Sequence, residues 1–216
     1  HHRLGMMCGE APKFHDKISR LVKKLADSGL SGQYLDIIGG ILYEPCYNPA
    51  HEHPRGGGRH CVEGYRKMLE RLKNENPNFP FTTEYANEHY MDLFDGAIIC
   101  NSTSCEHFGK TVEPIPLFSA VYHGRFALFG NYAHPDGIPP WDPLWPDEDR
   151  WKTEKKWHEL YPEQFFVEMA RPVIWGAQPM VCNLKMEIMD DPEFADIYAF
   201  IRHTAEFYYE NRDFLF

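Results

Sequence analysis

Gln33-Tyr34-Leu35-Asp36-Ile37-Ile38, closed by Gly39-Gly40, and then Pro80-Phe81-Thr82-Thr83-Glu84, are the stretches on which the reading of this chain turns. Each is a short apolar run carrying one acid and punctuated by Gly or Pro, the pattern of a buried strand rather than a helix. The segments around them have the helical period instead. Residues 12–28 set Phe14, Ile18, Leu21, Val22 and Leu25 on one face, with Pro12 near the start and Gly29 past the end. Residues 62–74 do the same with Tyr65, Met68, Leu69 and Leu72. A short helix is expected near 86–94, and a third apolar strand at Asp95-Gly96-Ala97-Ile98-Ile99-Cys100. This alternation of helix and strand predicts an α/β fold with parallel strands.

Beyond residue 110 the pattern is less regular. Residues 116–129 are apolar and fit a strand or a helix. Residues 133–150 read as a Pro-rich ordered surface loop, 165–170 as helix, Pro172-Val173-Ile174-Trp175-Gly176 as strand and 192–212 as an amphipathic helix. No repeat, low-complexity tract or linker divides the chain, so residues 1–216 are expected to form a single domain. Both ends look cut: Met6-Met7-Cys8 follows no leading element, and Asp213-Phe214-Leu215-Phe216 stops within a helical pattern.

With 43% hydrophobic and 25% charged residues in 216, the composition is that of a globular domain rather than a disordered chain. The net charge of -10, with no Lys/Arg run beyond a pair, leaves no basic face for phosphates and excludes nucleic acid as a partner. No apolar run approaches the roughly 20 residues that span a bilayer, so no membrane partner is expected. Aromatics make up 15%, with Trp141, Trp145, Trp151 and Trp157 in one segment. Such rings stack on sugars and also fill cores. The six cysteines (8, 46, 61, 100, 105 and 182) lack Cys-x-x-Cys spacing. They read as reduced, mostly buried thiols and indicate no compartment.

In parallel barrels the working side chains project from the C-terminal strand ends into a shared mouth. Asp36 and Glu84 hold that position on successive expected strands. Two carboxylates flanking a glycosidic bond, one protonated as acid and one ionised as nucleophile or base, are the minimum machinery for glycoside hydrolysis. A helix cap or a structural ion pair is the competing use of each. Glu88 replaces Glu84 if the second strand runs later, and Asp95, starting its strand, is expected to be structural.

Tyr34-Leu35-Asp36-Ile37-Ile38-Gly39-Gly40, with Cys46-Tyr47-Asn48-Pro49-Ala50-His51-Glu52-His53-Pro54, Gly56-Gly57-Gly58, Gly64-Tyr65-Arg66, Thr82-Thr83-Glu84 and Asp92-Leu93-Phe94-Asp95-Gly96, resembles a poorly characterised family of glycoside-hydrolase-like TIM barrels. The resemblance covers most of the chain. It implies a (β/α)8 barrel of TIM type, incomplete because its first strands are missing. In layout the chain is also similar to α-amylase-like and endo-α-N-acetylgalactosaminidase barrels, whose nucleophile is an Asp after strand four and whose acid/base is a Glu after strand five. That likeness implies Asp36 as nucleophile and Glu84 as acid/base of a retaining glycosidase acting on an oligo- or polysaccharide.

Residues 41–60 form a loop far longer than the usual connection, and loops of that length are commonly functional. Its Cys46, His51, His53, His60 and Cys61 are donors that can hold zinc, but their spacing fits no common finger. The expectation is a substrate loop with His51 or His53 pointing into the cleft, Arg55 beside them, and no metal. Gly56-Gly57-Gly58 lacks the Lys-Ser/Thr of a phosphate loop. Tyr85, Tyr122, His123, Trp175 and Gln178 are the other candidate sugar contacts, with core packing the competing role for the aromatic ones. Cys100, Cys105 and His107 lack an accompanying oxyanion element. No cofactor is expected. The rival reading is a non-catalytic carbohydrate-binding or structural barrel fragment. Either way, fewer strands than the eight of a closed barrel leave edges for another copy, or a missing N-terminal barrel segment, to cover.

Overall fold

Pro12 opens helix α1 (Pro12–Asp27) in the computed structural model, which describes residues 7–40, 45–99, 115–130, 164–181 and 184–215. Its fixed φ suits a first turn, where the missing N–H costs no helical bond. Gly29 ends the helix at φ 91, and Ser28 Oγ donates to Leu25 O at 2.7 Å. The chain divides into two units, His1–Ala97 and Ile98–Phe216.

In the first unit α1 is followed by β1 (Gln33–Leu35), α2 (Arg59–Glu75) and β2 (Phe81–Thr83); β3 (Gly96–Ile98) ends it. β1 pairs in parallel with β2, Leu35 opposite Thr83, and β2 in parallel with β3, Thr83 opposite Ala97. The parallel α/β alternation is therefore present. The strands are shorter than their apolar runs. Ile37 turns the first at φ 64, and Ile38–Gly40 winds into a 3-10 turn. The helix expected near 86–94 is one 3-10 turn, Glu88–Tyr90, with Asn87 Oδ1 accepting the His89 N–H.

α2 buries Tyr65, Met68, Leu69 and Leu72, and Phe81, Tyr90, Leu93, Phe94 and Ala97 complete that core. At Gly64 the segment ahead of α1 comes against this helix. A Cβ on Gly64 would press into the Gly9 backbone, and one on Gly9 into the Tyr65 ring. Tyr65 donates its hydroxyl to Met7 O at 3.0 Å, and Lys67 pairs with Glu10 at 2.8 Å. Residues 7–10 are thereby held on α2. Asp95 has the structural role expected of it, its Oδ2 accepting the Phe81 N–H and the Lys73 ammonium at 2.8 Å each. Among the described residues β1 pairs only with β2. An apolar pocket of about 520 Å³ is lined by Phe14, Ile18, Leu21 and Leu25 of α1 and Tyr34 and Leu35 of β1.

The second unit holds α3 (Leu117–Tyr122), β4 (Ala127–Phe129), α4 (Gln164–Ile174), α5 (Ala195–Glu210) and α6 (Arg212–Leu215). The ambiguous stretch 116–129 thus contains a helix and then a strand. Ile99 donates its N–H to Phe129 O at 2.9 Å, and Phe129 bridges Gln178 in parallel. The strand expected at 172–176 does not form. Phe165, Met169 and Val173 recur every fourth residue on the buried side of α4, and that burial carries the helix through Pro172. Extended pairing starts only at Gln178, after Gly176 turns the chain at φ 68. Phe165 and Met169 pack with Phe194 and Ile197, against which Phe200 and Ile201 also lie. The clustered tryptophans 141–157, the 133–150 loop, Cys100, Cys105, His107 and Cys182 lie outside the described residues.

Candidate active site

Asp36 and Glu84 leave β1 and β2 at the same end, each one residue beyond the Leu35–Thr83 register pair. Neighbouring strands lie about 4.8 Å apart, and residues at matched positions share a face. The two carboxyl groups are close enough to interact. Glu84 is held above the ordinary carboxylate range, first by burial and then by the negative charge of Asp36. Hydrogen bonds from the Tyr85 hydroxyl and the Ile37 N–H to its carboxylate pull in the opposite direction. Glu84 is half-buried and Asp36 exposed. One acid is biased toward keeping its proton beside a second that faces water, the inequality a two-carboxylate hydrolase needs.

Local chemistry fixes this end of the sheet. Thr83 Oγ1 donates to Leu35 O and accepts the Gly39 N–H, both at 2.8 Å, tying the two strand ends together. A side chain at Gly39 would run into Tyr85 O and Thr83, and one at Gly40 into the Tyr85 ring. Ile37 is the one non-glycine residue at positive φ among the described residues. A β-branched residue there costs about 1–2 kcal/mol. Asn tolerates that conformation, and Ile37 is 51% exposed, so little apolar burial is lost on replacing it. Ile37→Asn is therefore expected to raise stability by about 1 kcal/mol in urea denaturation. An unchanged or lower midpoint would show that the turn is unstrained.

The remaining expected contacts fall into separate groups. Tyr85 joins Asp36 and Glu84. Arg55 is exposed on the loop before α2, where His51 and His53 are half-buried. Glu88 is exposed in its 3-10 turn, and because β2 ends at Thr83 the strand-end position belongs to Glu84. In the second unit the half-buried Tyr122 ring packs on Phe118, with ring centroids 4.7 Å apart. His123 donates from Nδ1 to Ser119 O at 2.7 Å, and lines with Trp175 a pocket of about 300 Å³. The Gln178 side chain is exposed while its backbone pairs with β4.

Sequence spacing missed one member of a second constellation. Cys8 Sγ lies 3.2 Å from His53 Nε2, and Cys46 Sγ lies 3.3 Å from His51 Nδ1. One donor atom from each of Cys8, Cys46, His51 and His53 lies within 4.8 Å of the other three. Burial pushes the Cys8 thiol up, and the neighbouring Cys46 adds to the effect. No motif spacing links Cys8 to the loop; the Gly9–Gly64 approach on α2 delivers it there. Cys61 is buried in α2 outside the group, and His60 stacks on His53 with ring centroids 4.1 Å apart.

A family model described as "Domain of unknown function (DUF6259)" matches residues 1–134. A Bacteroides thetaiotaomicron protein named "Putative glycoside hydrolase" is 34% identical over 112 residues, which is 51% of this chain and 16% of that protein. A Monosiga brevicollis protein named "Putative glycoside hydrolase 22789" is 28% identical over 117 residues, 54% of this chain and 10% of its own length. The chain thus spans a small part of these relatives. Among solved structures, α-N-acetylgalactosaminidase NagBb from Bifidobacterium bifidum, in its GalNAc complex, has a TM-score of 0.51 at 17% identity, covering 80% of this chain and 23% of that one. Its quadruple mutant gives 0.53 over 83% and 25%. At that identity the likeness is one of fold.

Proposed function

This chain belongs to the DUF6259 family, a poorly characterised glycoside-hydrolase-like group, and from that membership we propose that it is part of the (β/α)-barrel catalytic domain of a glycosidase. The observation that carries the proposal is the matched pair Asp36 and Glu84 at the C-terminal ends of adjacent parallel strands, with Glu84 pushed toward its protonated form. Asp36 attacks the anomeric carbon as the departing oxygen takes the proton of Glu84, giving a covalent glycosyl-enzyme. Glu84, now ionised, removes a proton from water, and the resulting hydroxide displaces Asp36 with a second inversion, so configuration is retained. The substrate is an oligo- or polysaccharide. Tyr85, hydrogen-bonded to Glu84, sets the direction of the acid's proton. A further barrel segment or a second copy covers the open side of β1.

The test is hydrolysis of a panel of aryl α- and β-glycosides, N-acetylhexosaminides included, by the protein that carries this chain, with the first product anomer followed by NMR. Turnover with retained configuration is the expected result. An inverted first product would remove Asp36 from the nucleophile's role. Sugar binding without turnover across the panel would favour the non-catalytic carbohydrate-binding reading.

A further inference from the structure

We propose that Cys8, Cys46, His51 and His53 form a structural zinc site that clasps the segment ahead of α1 to the loop between β1 and α2. The inference does not depend on the glycosidase reading, and it replaces the metal-free substrate loop expected from spacing alone. Zinc takes thiolate sulfur at about 2.3 Å and imidazole nitrogen at about 2.0–2.1 Å, so tetrahedral donors stand about 3.3–3.8 Å apart. Here the group spans at most 4.8 Å, with Cys8–His53 at 3.2 Å and Cys46–His51 at 3.3 Å. Shifts of about 1 Å or less bring all four to one ion. Two thiolates and two imidazoles fill the coordination shell, which is the pattern of a structural rather than a catalytic zinc.

The surroundings hold these donors in place before any ion arrives. His53 donates from Nδ1 to Pro54 O at 2.8 Å, which leaves the Nε2 lone pair facing Cys8, the outer hydrogen bond metal-binding histidines usually make. Asn48 Oδ1 accepts the Ala50 N–H at 3.0 Å, which fixes the turn that carries His51. His60 stacks on His53. Cys46 and Gly56 exchange two backbone hydrogen bonds, at 3.0 and 2.8 Å, and so close the loop that carries both histidines. His51 and His53 also line an open pocket of about 400 Å³, through which an ion can enter.

The loop also needs a fastening. Of residues 45–58 only Gly56 is buried, and Tyr47 is 69% exposed, so apolar burial does little to order it. Segments without a core of their own are commonly fixed by a disulfide or a metal. The thiols of Cys8 and Cys46 are free.

The test is elemental analysis of the full chain purified without chelator, followed by replacement of zinc with cobalt. One zinc per chain that survives dialysis is expected, with tetrahedral Co(II) absorption and a thiolate charge-transfer band. Cys8→Ser and Cys46→Ser should lose zinc and weaken that band, whereas Cys61→Ser should keep both. Because a serine variant can fail to fold, the parent supplies a second reading. Two thiols should be blocked to a thiol reagent until a chelator is added, and the chelator should lower Tm by roughly 5 °C or more. A zinc-free parent that gives cobalt no thiolate band would overturn the proposal. So would a Cys8–Cys46 disulfide found by mass spectrometry, or a folded Cys8→Ser variant carrying the parent's zinc.

Discussion

If the proposed double displacement holds, Asp36→Asn is expected to lower kcat/KM on an activated glycoside by roughly 10⁴-fold or more, because that mechanism offers no substitute for its nucleophile. Its fold should survive, since Asp36 is exposed at the strand end. Glu84→Ala should cost roughly 10²–10⁴-fold on substrates with poor leaving groups and far less on those needing no protonation. Azide should partly rescue it by attacking the glycosyl-enzyme from the vacated space. Asp36→Asn should also pull the Glu84 titration down, because the charge that helps to raise it is gone. The sign carries over to stability. Glu84 binds its proton more tightly folded than unfolded, so its contribution is fully present below the unfolded value of about 4.3 and is lost as pH rises through the folded value. Glu84→Gln should therefore raise Tm at neutral pH while it removes the acid. Unchanged turnover in Asp36→Asn, or a Glu84 titration by NMR indifferent to that substitution, would end the two-carboxylate reading.

Gly64→Ala should destabilise the protein by about 2–3 kcal/mol, the reverse of the gain of up to about 1 kcal/mol that Ala usually brings to a helix. The added methyl meets the Gly9 backbone rather than a flexible side chain, so relief requires residues 7–10 to lift from α2. That movement breaks the Tyr65–Met7 hydrogen bond and the Lys67–Glu10 pair. Urea denaturation measures the loss. Gly57→Ala, where an added Cβ would meet nothing closer than Pro45 at 3.9 Å, should fall within about 0.5 kcal/mol of the parent. A stabilising Gly64→Ala would mean that this segment does not rest on α2.

The features legible in the residues were those set by local periodicity. α1 and α2 announce themselves through an apolar face at helical spacing, bounded in α1 by Pro12 and Gly29, whatever they pack on. Asp36 and Glu84 stand out for the same reason, each being the acid carried by a short apolar run, and the pairing of β1 with β2 brings both to one end of the sheet. Where tertiary burial decides, the letters mislead. The Val173-Ile174-Trp175 run suits a strand, yet Phe165, Met169 and Val173 share a core-facing stripe and the helix prevails. Nothing about an isoleucine signals a left-handed turn, so Ile37 could not be anticipated. Cys8 was missed because it meets His53 across 45 positions, through a contact between two glycines.

The parallel pairing of β1 with β2 also governs when the two carboxylates can meet. No hairpin can zip this pair. Leu35 reaches Thr83, 48 positions on, only after the chain between them has been threaded back past the first strand, with α2 laid down on the way. The entropy of closing so long an excursion is lost before any strand bond compensates for it, so such contacts form late. During refolding, helical circular dichroism should return ahead of enzymatic turnover, and a chain stalled midway would carry Asp36 and Glu84 as two unrelated surface acids. On the proposed mechanism, half-folded molecules of this kind have no partial reactivity to leak.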